Sequence, residues 1–223
     1  FVWGNPAWAG NRIDSATFTG GYAVTSAAAT AGVVLSNNAI TGATLDFTGS
    51  TTGSVIANTM LFGSSIQFGA TANVTFTTFG PGSPTLTNSS PTMGISTCVL
   101  ESGTYAVSGT GGLGLAGSHI AGGTVTVSGT ALVTITDSQL STCAVSATAG
   151  SLAMTRCQSN TTATVQCTVT GAPAVMSAID VTIENSTLTF TGATQSRAVR
   201  RCRLTGESAL TVTHSDMELN LVT

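Results

Sequence analysis

Apolar residues recur at a nearly constant interval through the middle of this chain of 223 residues. Leu100, Ile120 and Leu140 differ by 20 in sequence number at each step. Three further series of apolar residues, which we also call tracks, keep that spacing: Tyr105, Val125 and Val145; Met93, Leu113 and Val133; and Ile95, Leu115 and Ile135. Tracks that hold one spacing over successive repeats indicate a solenoid, in which each repeat is one coil stacked on the previous one.

The repeat extends in both directions with small changes in length. The spacing is 21 between Ile40 and Leu61, and 19 between Val55 and Val74. Pairs nearer the ends are Phe18 and Ile40 (22), Ile183 and Leu204 (21), and Phe190 and Val212 (22). We therefore predict roughly ten coils of 19–22 residues, with residues 1–223 forming one continuous solenoid. Because the chain begins with Phe1 rather than methionine, we expect it to be a piece of a longer protein.

Each coil contains segments in which apolar and polar residues alternate, as in Val125-Thr126-Val127. Alternation with period 2 and many β-branched residues predicts half-buried strands. Asn37, Asn58 and Asp137 each lie three positions before an apolar anchor, and Asn and Asp tolerate the left-handed backbone that a sharp corner needs. The sequence therefore predicts an all-β fold, a single-stranded parallel β-helix or β-solenoid.

Charged residues make up only 7% of the chain, against about 25% in an average soluble domain. The six basic residues are all arginine, and the net charge is -3. This composition argues against a nucleic-acid partner, which requires a basic surface. The sequence also contains no run of about 18 apolar residues, so it predicts no membrane-spanning helix.

The register also predicts contacts between charged residues. The spacing is 19 between Asp137 and Arg156, and 21 between Asp180 and Arg201, so each pair is expected to lie one coil apart on the surface. We predict two exposed ion pairs that keep the coils in register.

Five cysteines occur, and three of them, Cys98, Cys157 and Cys202, share one position in the repeat. Three coils would separate Cys98 from Cys157 by about 14 Å, which is beyond disulfide reach. We predict buried free thiols, including Cys143 and Cys167. No C-x-x-C pair is present, so we expect no metal site, and nothing in the sequence indicates a cofactor.

Enzymes that cleave polysaccharides on β-helices use carboxylates from neighbouring coils. The strongest candidate catalytic pair is His119 with Asp137, whose spacing is slightly shorter than one repeat and makes them diagonal neighbours on one face. A histidine beside a carboxylate can act as a base. The alternative, two solvated residues beside a corner, is the favoured interpretation, and the chain is not expected to be an enzyme.

Four of the six arginines fall close together in the chain: Arg197, Arg200, Arg201 and Arg203. They form a candidate binding site for an anionic sugar or a neighbouring subunit. The favoured alternative is an exposed coil whose arginines pair with Asp180, Glu184 and Glu207.

The segments Val34–Ile40 and Leu45–Gly49 resemble right-handed parallel β-helix repeats. Such repeats occur in bacteriophage tail spikes and fibres, in pectate-lyase-like enzymes and in microbial surface adhesins. The resemblance covers most of the chain and rests on composition and period rather than on a motif. It carries over no catalytic acid, and for tail-spike members it implies a homotrimer.

A stiff solenoid with few charges and no lysine is expected to be a structural and recognition rod. We expect it in a phage tail fibre or spike, at the virion surface or outside the cell. Its Thr, Ser and Asn side chains can bind host-surface polysaccharide or pack against identical subunits. The alternatives are a polysaccharide lyase or hydrolase, and a cellular surface adhesin or coat protein.

Overall fold

A computed structural model describes residues 2–3, 11–21, 23–26, 32–49, 51, 53–80, 85–88, 92–101, 103–107, 112–128, 132–148, 151–160, 164–169, 176–192, 197–213 and 217–221. These residues form strands and corners, and no helix is present among them. The all-β class predicted from the period-2 pattern is therefore confirmed.

The strands, in chain order, are β1 (Val2–Trp3), β2 (Asn11–Asp14), β3 (Thr17–Thr19), β4 (Ala23–Ser26), β5 (Val33–Ser36), β6 (Ala39–Thr41), β7 (Thr44–Phe47), β8 (Ser54–Ala57), β9 (Met60–Phe62), β10 (Ser65–Phe68), β11 (Ala72–Thr75), β12 (Thr78–Phe79), β13 (Thr85–Asn88), β14 (Thr92–Ser96), β15 (Val99–Leu100), β16 (Thr104–Val107), β17 (Gly112–Ala116), β18 (His119–Ser128), β19 (Leu132–Thr136), β20 (Gln139–Thr148), β21 (Ser151–Thr155), β22 (Gln158–Asn160), β23 (Thr164–Val169), β24 (Met176–Ile179), β25 (Thr182–Glu184), β26 (Thr187–Gly192), β27 (Arg197–Thr205), β28 (Ala209–Thr213) and β29 (Met217–Leu221).

Every strand pairing among the described residues is parallel, and each joins one coil to the next. We call one set of stacked strands sheet 1; it contains β2, β5, β8, β11, β14, β17, β19, β21, β24, β27 and β29. The remaining strands, together with the last part of β27, form sheet 2. The chain therefore winds as a parallel β-solenoid.

The predicted apolar tracks are paired as the sequence indicated. Leu100 pairs with Ile120 and Ile120 with Leu140, and Ile183 pairs with Leu204 near the other end. One prediction is wrong: Val55 does not pair with Val74. Val74 pairs with Ile56, the next residue along, and both of these side chains are buried. A shift of one residue exchanges the two faces of a strand, so Val55 faces outward.

Coil length is less regular than predicted. Seven coils, from β5 to β21, follow one another, and their shortest step in sequence number runs from Ser54 to Ala72. A markedly longer step runs from Leu152 to Met176, before β24, β27 and β29 continue the stack. The regular part of the solenoid therefore has about seven coils. The sequence predicted roughly ten coils for the whole chain.

The core is one continuous apolar column inside the coils. Its sheet 1 wall stacks Leu35, Ile56, Val74, Ile95, Leu115, Ile135, Met154, Ala178 and Val199, all of which are buried. Aromatic residues add to it: the rings of Phe79 and Tyr105 meet edge to face with centroids 5.4 Å apart. No coil buries enough apolar surface alone, so each depends on its neighbours.

Candidate functional site

Each coil turns from sheet 1 into sheet 2 through one residue in the left-handed backbone region. Asn37, Asn58 and Asp137 have φ values of 57°, 48° and 50°, which confirms the predicted corner position. We call these residues the corner row: Ser15, Asn37, Asn58, Phe76, Thr97, Gly117, Asp137, Arg156, Asp180 and Arg201. Phe76 and Arg156 adopt the same conformation although phenylalanine and arginine do not favour it, because the stacked neighbouring coils impose this backbone.

At most corners the residue that follows points inward and is small and buried. Ser138 is representative: its Oγ donates to the Thr136 carbonyl at 2.7 Å and accepts from the Ser118 N–H at 3.2 Å. Cys98 and Cys157 take the same position, and their thiols donate to backbone carbonyls. The sequence showed that this position is small, but not that its Ser, Thr and Cys side chains bond to backbone carbonyls; Val181 takes the same position without a donor.

Asn38 is a larger residue at this position, with only 3% of its surface exposed. Its Oδ1 accepts from the Ala16 N–H at 2.9 Å, and its Nδ2 donates to the Ile13 carbonyl at 3.1 Å. One side chain thus ties its own coil to the preceding one.

The second residue after each corner points outward from sheet 2. Six of these residues stack in register and form what we call the face row: Val99, His119, Gln139, Gln158, Thr182 and Arg203. Because the residue between the two rows is small and inward, a groove runs between them, parallel to the solenoid axis. We call it the axial groove, and successive residues along either row are about 4.8 Å apart.

Two depressions make up the axial groove. The first has a volume of about 350 Å³ and lies around Gly117 and His119; the second, of about 450 Å³, lies around Arg156 and Gln158. Asp137 and Gln139 line both depressions, so the two meet there. The groove therefore extends over several coils as a shallow, polar surface.

Alternating charges line one side of the axial groove. Both carboxylate oxygens of Asp137 accept from Arg156, at 2.6 and 2.7 Å, and both oxygens of Asp180 accept from Arg201 at the same two distances. The two ion pairs predicted from the register are confirmed. Acidic and basic residues alternate over four coils, so the charges of this row cancel.

These contacts decide the protonation states in the groove. The Arg156 guanidinium, by hydrogen bonding, lowers the pKa of Asp137, and the Arg201 guanidinium does the same to the pKa of Asp180. Both carboxyl groups are therefore ionised at neutral pH. Neither is suited to donate a proton as a general acid, which requires a raised pKa.

His119 and Asp137 both line the first depression, as their spacing predicted, but each is engaged elsewhere. His119 Nε2 lies 3.3 Å from Ser141 Oγ, and Ser141 donates its only proton to Asn160 Oδ1 at 2.7 Å. Because Ser141 donates its proton to Asn160, His119 does not take that proton and does not activate Ser141 as a nucleophile.

The four clustered arginines occupy one strand, β27, and the three whose side chains are described, Arg200, Arg201 and Arg203, lie on different faces of the solenoid. Arg201 is at the corner and pairs with Asp180, as the favoured alternative predicted for this arginine. Arg200 is exposed on sheet 1, and Arg203 is exposed on sheet 2, where it ends the face row. The side chain of Arg197 lies outside the described residues.

Cys98, Cys143, Cys157 and Cys202 are buried and free, as predicted, whereas the Cys167 side chain lies outside the described residues. Burial raises the pKa of Cys98 and Cys143 to about 11, so these thiols are protonated and unreactive at neutral pH. Across the described ranges, no group of three or more His, Cys, Asp or Glu side chains is placed to hold a metal ion. In that same part of the chain, no helix has the length and hydropathy to cross a membrane.

Comparison of the chain with protein-family models, curated proteins and solved structures found no match.

Proposed function

We propose that this chain is a structural and recognition rod of an extracellular appendage, such as a phage tail fibre or spike, and that its axial groove binds host-surface polysaccharide. The observation that carries the proposal is the pair of polar rows held in register along the axis. A groove that continues from coil to coil offers polar contacts at intervals of about 4.8 Å along one line, which suits a linear polymer better than a compact molecule.

The chemistry of the axial groove favours a hydroxyl-rich ligand of low charge. Gln139 and Gln158 are stacked neighbours, and each carboxamide provides both donors and acceptors. The ion pairs Asp137–Arg156 and Asp180–Arg201 cancel in charge but leave hydrogen-bonding atoms at the surface. A polyanion would require excess positive charge, which the corner row does not supply.

A polysaccharide lyase or hydrolase is the alternative with less support. Asp137 and Asp180 are two coils apart, about 10 Å by the strand spacing, which is near the separation of the two carboxyl groups in inverting glycosidases. Because the pKa values of both carboxyl groups are lowered, neither is protonated at neutral pH and available as the general acid. A cellular surface adhesin or coat protein would use the same groove and differs only in where the rod is anchored.

Self-association is the second part of the proposal, since a rod with few charges can pack against identical rods. The homotrimer implied by the resemblance to tail spikes stays a prediction. The binding of an anionic sugar or a neighbouring subunit by Arg197, Arg200, Arg201 and Arg203 also stays a prediction.

The test is binding of the whole chain to an immobilised panel of purified neutral and acidic bacterial polysaccharides. We expect binding to neutral members and a loss of about tenfold or more in the double variant Gln139→Ala/Gln158→Ala. Ser177→Ala, on the outward side of sheet 1, is the matched control and should bind normally. Binding to no polysaccharide, or equal loss in the control, would overturn the proposal.

Two additional measurements separate the alternatives. Release of reducing ends from any bound polysaccharide would favour the hydrolase, and new unsaturated ends would favour the lyase. Antibodies raised against the chain should label virions if the rod belongs to a phage, and should label cell surfaces if it is a cellular adhesin.

A further inference from the structure

Phe76 differs from the rest of the corner row because it is aromatic, exposed and left-handed at once. Its φ is 48°, a conformation that is unfavourable for phenylalanine, and 64% of its surface is accessible. The corner itself is ordinary, since the Phe76 N–H donates to the Ser96 carbonyl of the next coil as the Asp137 N–H donates to Thr155. Burial of the ring offsets little of the cost of this backbone. A costly residue that the fold does not need points to a role at the surface.

Phe76 lies where the axial groove continues beyond its first depression. Met60 pairs with Thr78 and Thr78 with Val99, so these residues extend the line of the face row by two coils. The first depression begins in the coil of Thr97 and Val99. Phe76 is the corner of the coil just before it, so its side chain stands at the end of the groove.

Met60 lies on the opposite side of the groove from Phe76. Met60 is the second residue after its corner, and Phe76 is the corner of the next coil. His119 and Asp137 have the same relation to each other, and both line one depression. Because 48% of the Met60 surface is also accessible, two exposed apolar side chains flank the groove at this end. We call Met60 and Phe76 the apolar end of the groove.

A second aromatic ring adjoins the apolar end on sheet 2. Phe62 is the next outward residue after Met60 on β9, and it is half-buried. Its ring lies over Gly80 in the next coil, where a Cβ would clash with Phe62 Cε1. The apolar surface therefore extends from the corner onto the sheet, whereas the remainder of the groove is polar.

We propose that Phe76 stacks against one sugar ring of an extended, β-1,4-linked neutral glycan, whose following residues lie in the two depressions of the axial groove. A hexopyranose with equatorial hydroxyl groups carries C–H bonds on its faces and hydroxyl groups at its edge. The C–H hydrogens are attracted to the negative face of an aromatic ring. The hydroxyl groups match the carboxamides of Gln139 and Gln158 farther along the groove.

The spacing of the coils favours an extended glycan over a curled one. From the Phe76 corner to the Arg156 corner is four coil steps, about 19 Å. One residue of an extended β-1,4-linked chain is about as long as one coil spacing, so about five sugars reach from the apolar end to the second depression. An α-1,4-linked chain curls into a helix and leaves a straight groove after a few residues.

This inference rests on the proposed binding of polysaccharide in the axial groove, but its failure can be distinguished from failure of that proposal. Gln139 and Gln158 report on binding in the polar part of the groove. Phe76 reports on stacking at the apolar end alone.

The experiment is isothermal titration calorimetry of the whole chain with cellohexaose, which is β-1,4-linked, and with maltohexaose, which has the same composition and α-1,4 linkages. We expect cellohexaose to bind about tenfold or more tightly than maltohexaose. Phe76→Asn should weaken cellohexaose binding by about tenfold, and Phe76→Trp should preserve it. Leu132→Ala is the matched control, because it removes an apolar side chain that is 47% exposed on sheet 1, and it should bind normally.

Phe76→Asn separates stacking from a structural role, because asparagine suits a left-handed corner and should not lower the Tm. Normal cellohexaose binding by Phe76→Asn, with loss in Gln139→Ala/Gln158→Ala, would overturn the inference and leave the proposed function intact. Equal affinity for the two hexasaccharides, or binding of neither while a polysaccharide binds, would likewise overturn only the inference. If no polysaccharide binds, both are wrong.

Discussion

Serine-to-alanine substitution should have opposite effects at two buried positions of this solenoid. Ser159 lies in the core column between Leu140 and Ile183, and its hydroxyl is buried with no hydrogen-bond partner among the described residues. Ser138 is equally buried, but its hydroxyl both donates and accepts. The two residues lie in successive coils of the same region, so the pair controls for size, burial and location.

The expected magnitudes follow from these contacts. A buried hydroxyl without a partner costs about 1–3 kcal/mol, so Ser159→Ala should raise the free energy of unfolding by about 1 kcal/mol. Ser138→Ala leaves the Ser118 N–H without its acceptor and removes one donor from the Thr136 carbonyl. It should lower the free energy of unfolding by about 1–3 kcal/mol.

Urea unfolding followed by circular dichroism measures both changes, with unaltered m-values as evidence that the same structure unfolds. For a chain of this size, about 1 kcal/mol corresponds to a shift of about 2–4 °C in Tm. We expect the Tm of Ser159→Ala to rise and that of Ser138→Ala to fall. If both variants shift in the same direction, the assignment of these hydroxyls is wrong.

Four further predictions follow from the corner residues and their neighbours. Asp137 and Asp180 have pKa values below that of an unfolded aspartate. Their contribution to stability is therefore complete above about pH 4 and is lost as the pH falls through their pKa values in the folded protein. The decrease in Tm on acidification should be smaller in Asp137→Asn/Asp180→Asn. Asn38→Leu should lower the free energy of unfolding by about 1–3 kcal/mol in urea titrations, because the half-buried Ala16 N–H and Ile13 carbonyl lose the Asn38 side chain as their partner. Phe76→Asn should raise it by up to about 1 kcal/mol, since asparagine tolerates the left-handed backbone at this exposed corner. Finally, Cys98 should react with a thiol reagent at the rate of global or local unfolding, and faster reaction in the folded state would contradict its burial.

The sequence predicted the fold because one spacing repeats in several independent tracks. The period alone was enough to predict that Leu100, Ile120 and Leu140 lie above one another. The same period predicted the ion pair Asp137–Arg156. The predicted pairing was wrong where two neighbouring residues of one strand matched the apolar repeat equally well. Val55 has an apolar neighbour in Ile56, and the sequence alone does not show which of the two faces the core.

The candidate site was predictable only in part. His119 and Asp137 were expected on one face, and they do line one depression. The groove itself was not foreseen, because it depends on two outward rows separated by a small inward residue, which becomes apparent only when side-chain directions are known. Left-handed backbone at Arg156 was also not foreseen, since stacking overrides the preference of the residue.

The central claim is that residues one repeat apart lie directly above one another in a parallel stack, and pairs of introduced cysteines test it. Gln139→Cys/Gln158→Cys joins neighbouring coils at a spacing of about 4.8 Å, within disulfide reach, whereas Gln139→Cys/Thr182→Cys spans two coils, about 10 Å, and is beyond it. Mild oxidation of the folded chain, followed by mass spectrometry of its peptides, should find the disulfide in the first variant and not in the second. Equal cross-linking of both pairs, or of neither, would contradict the parallel stack.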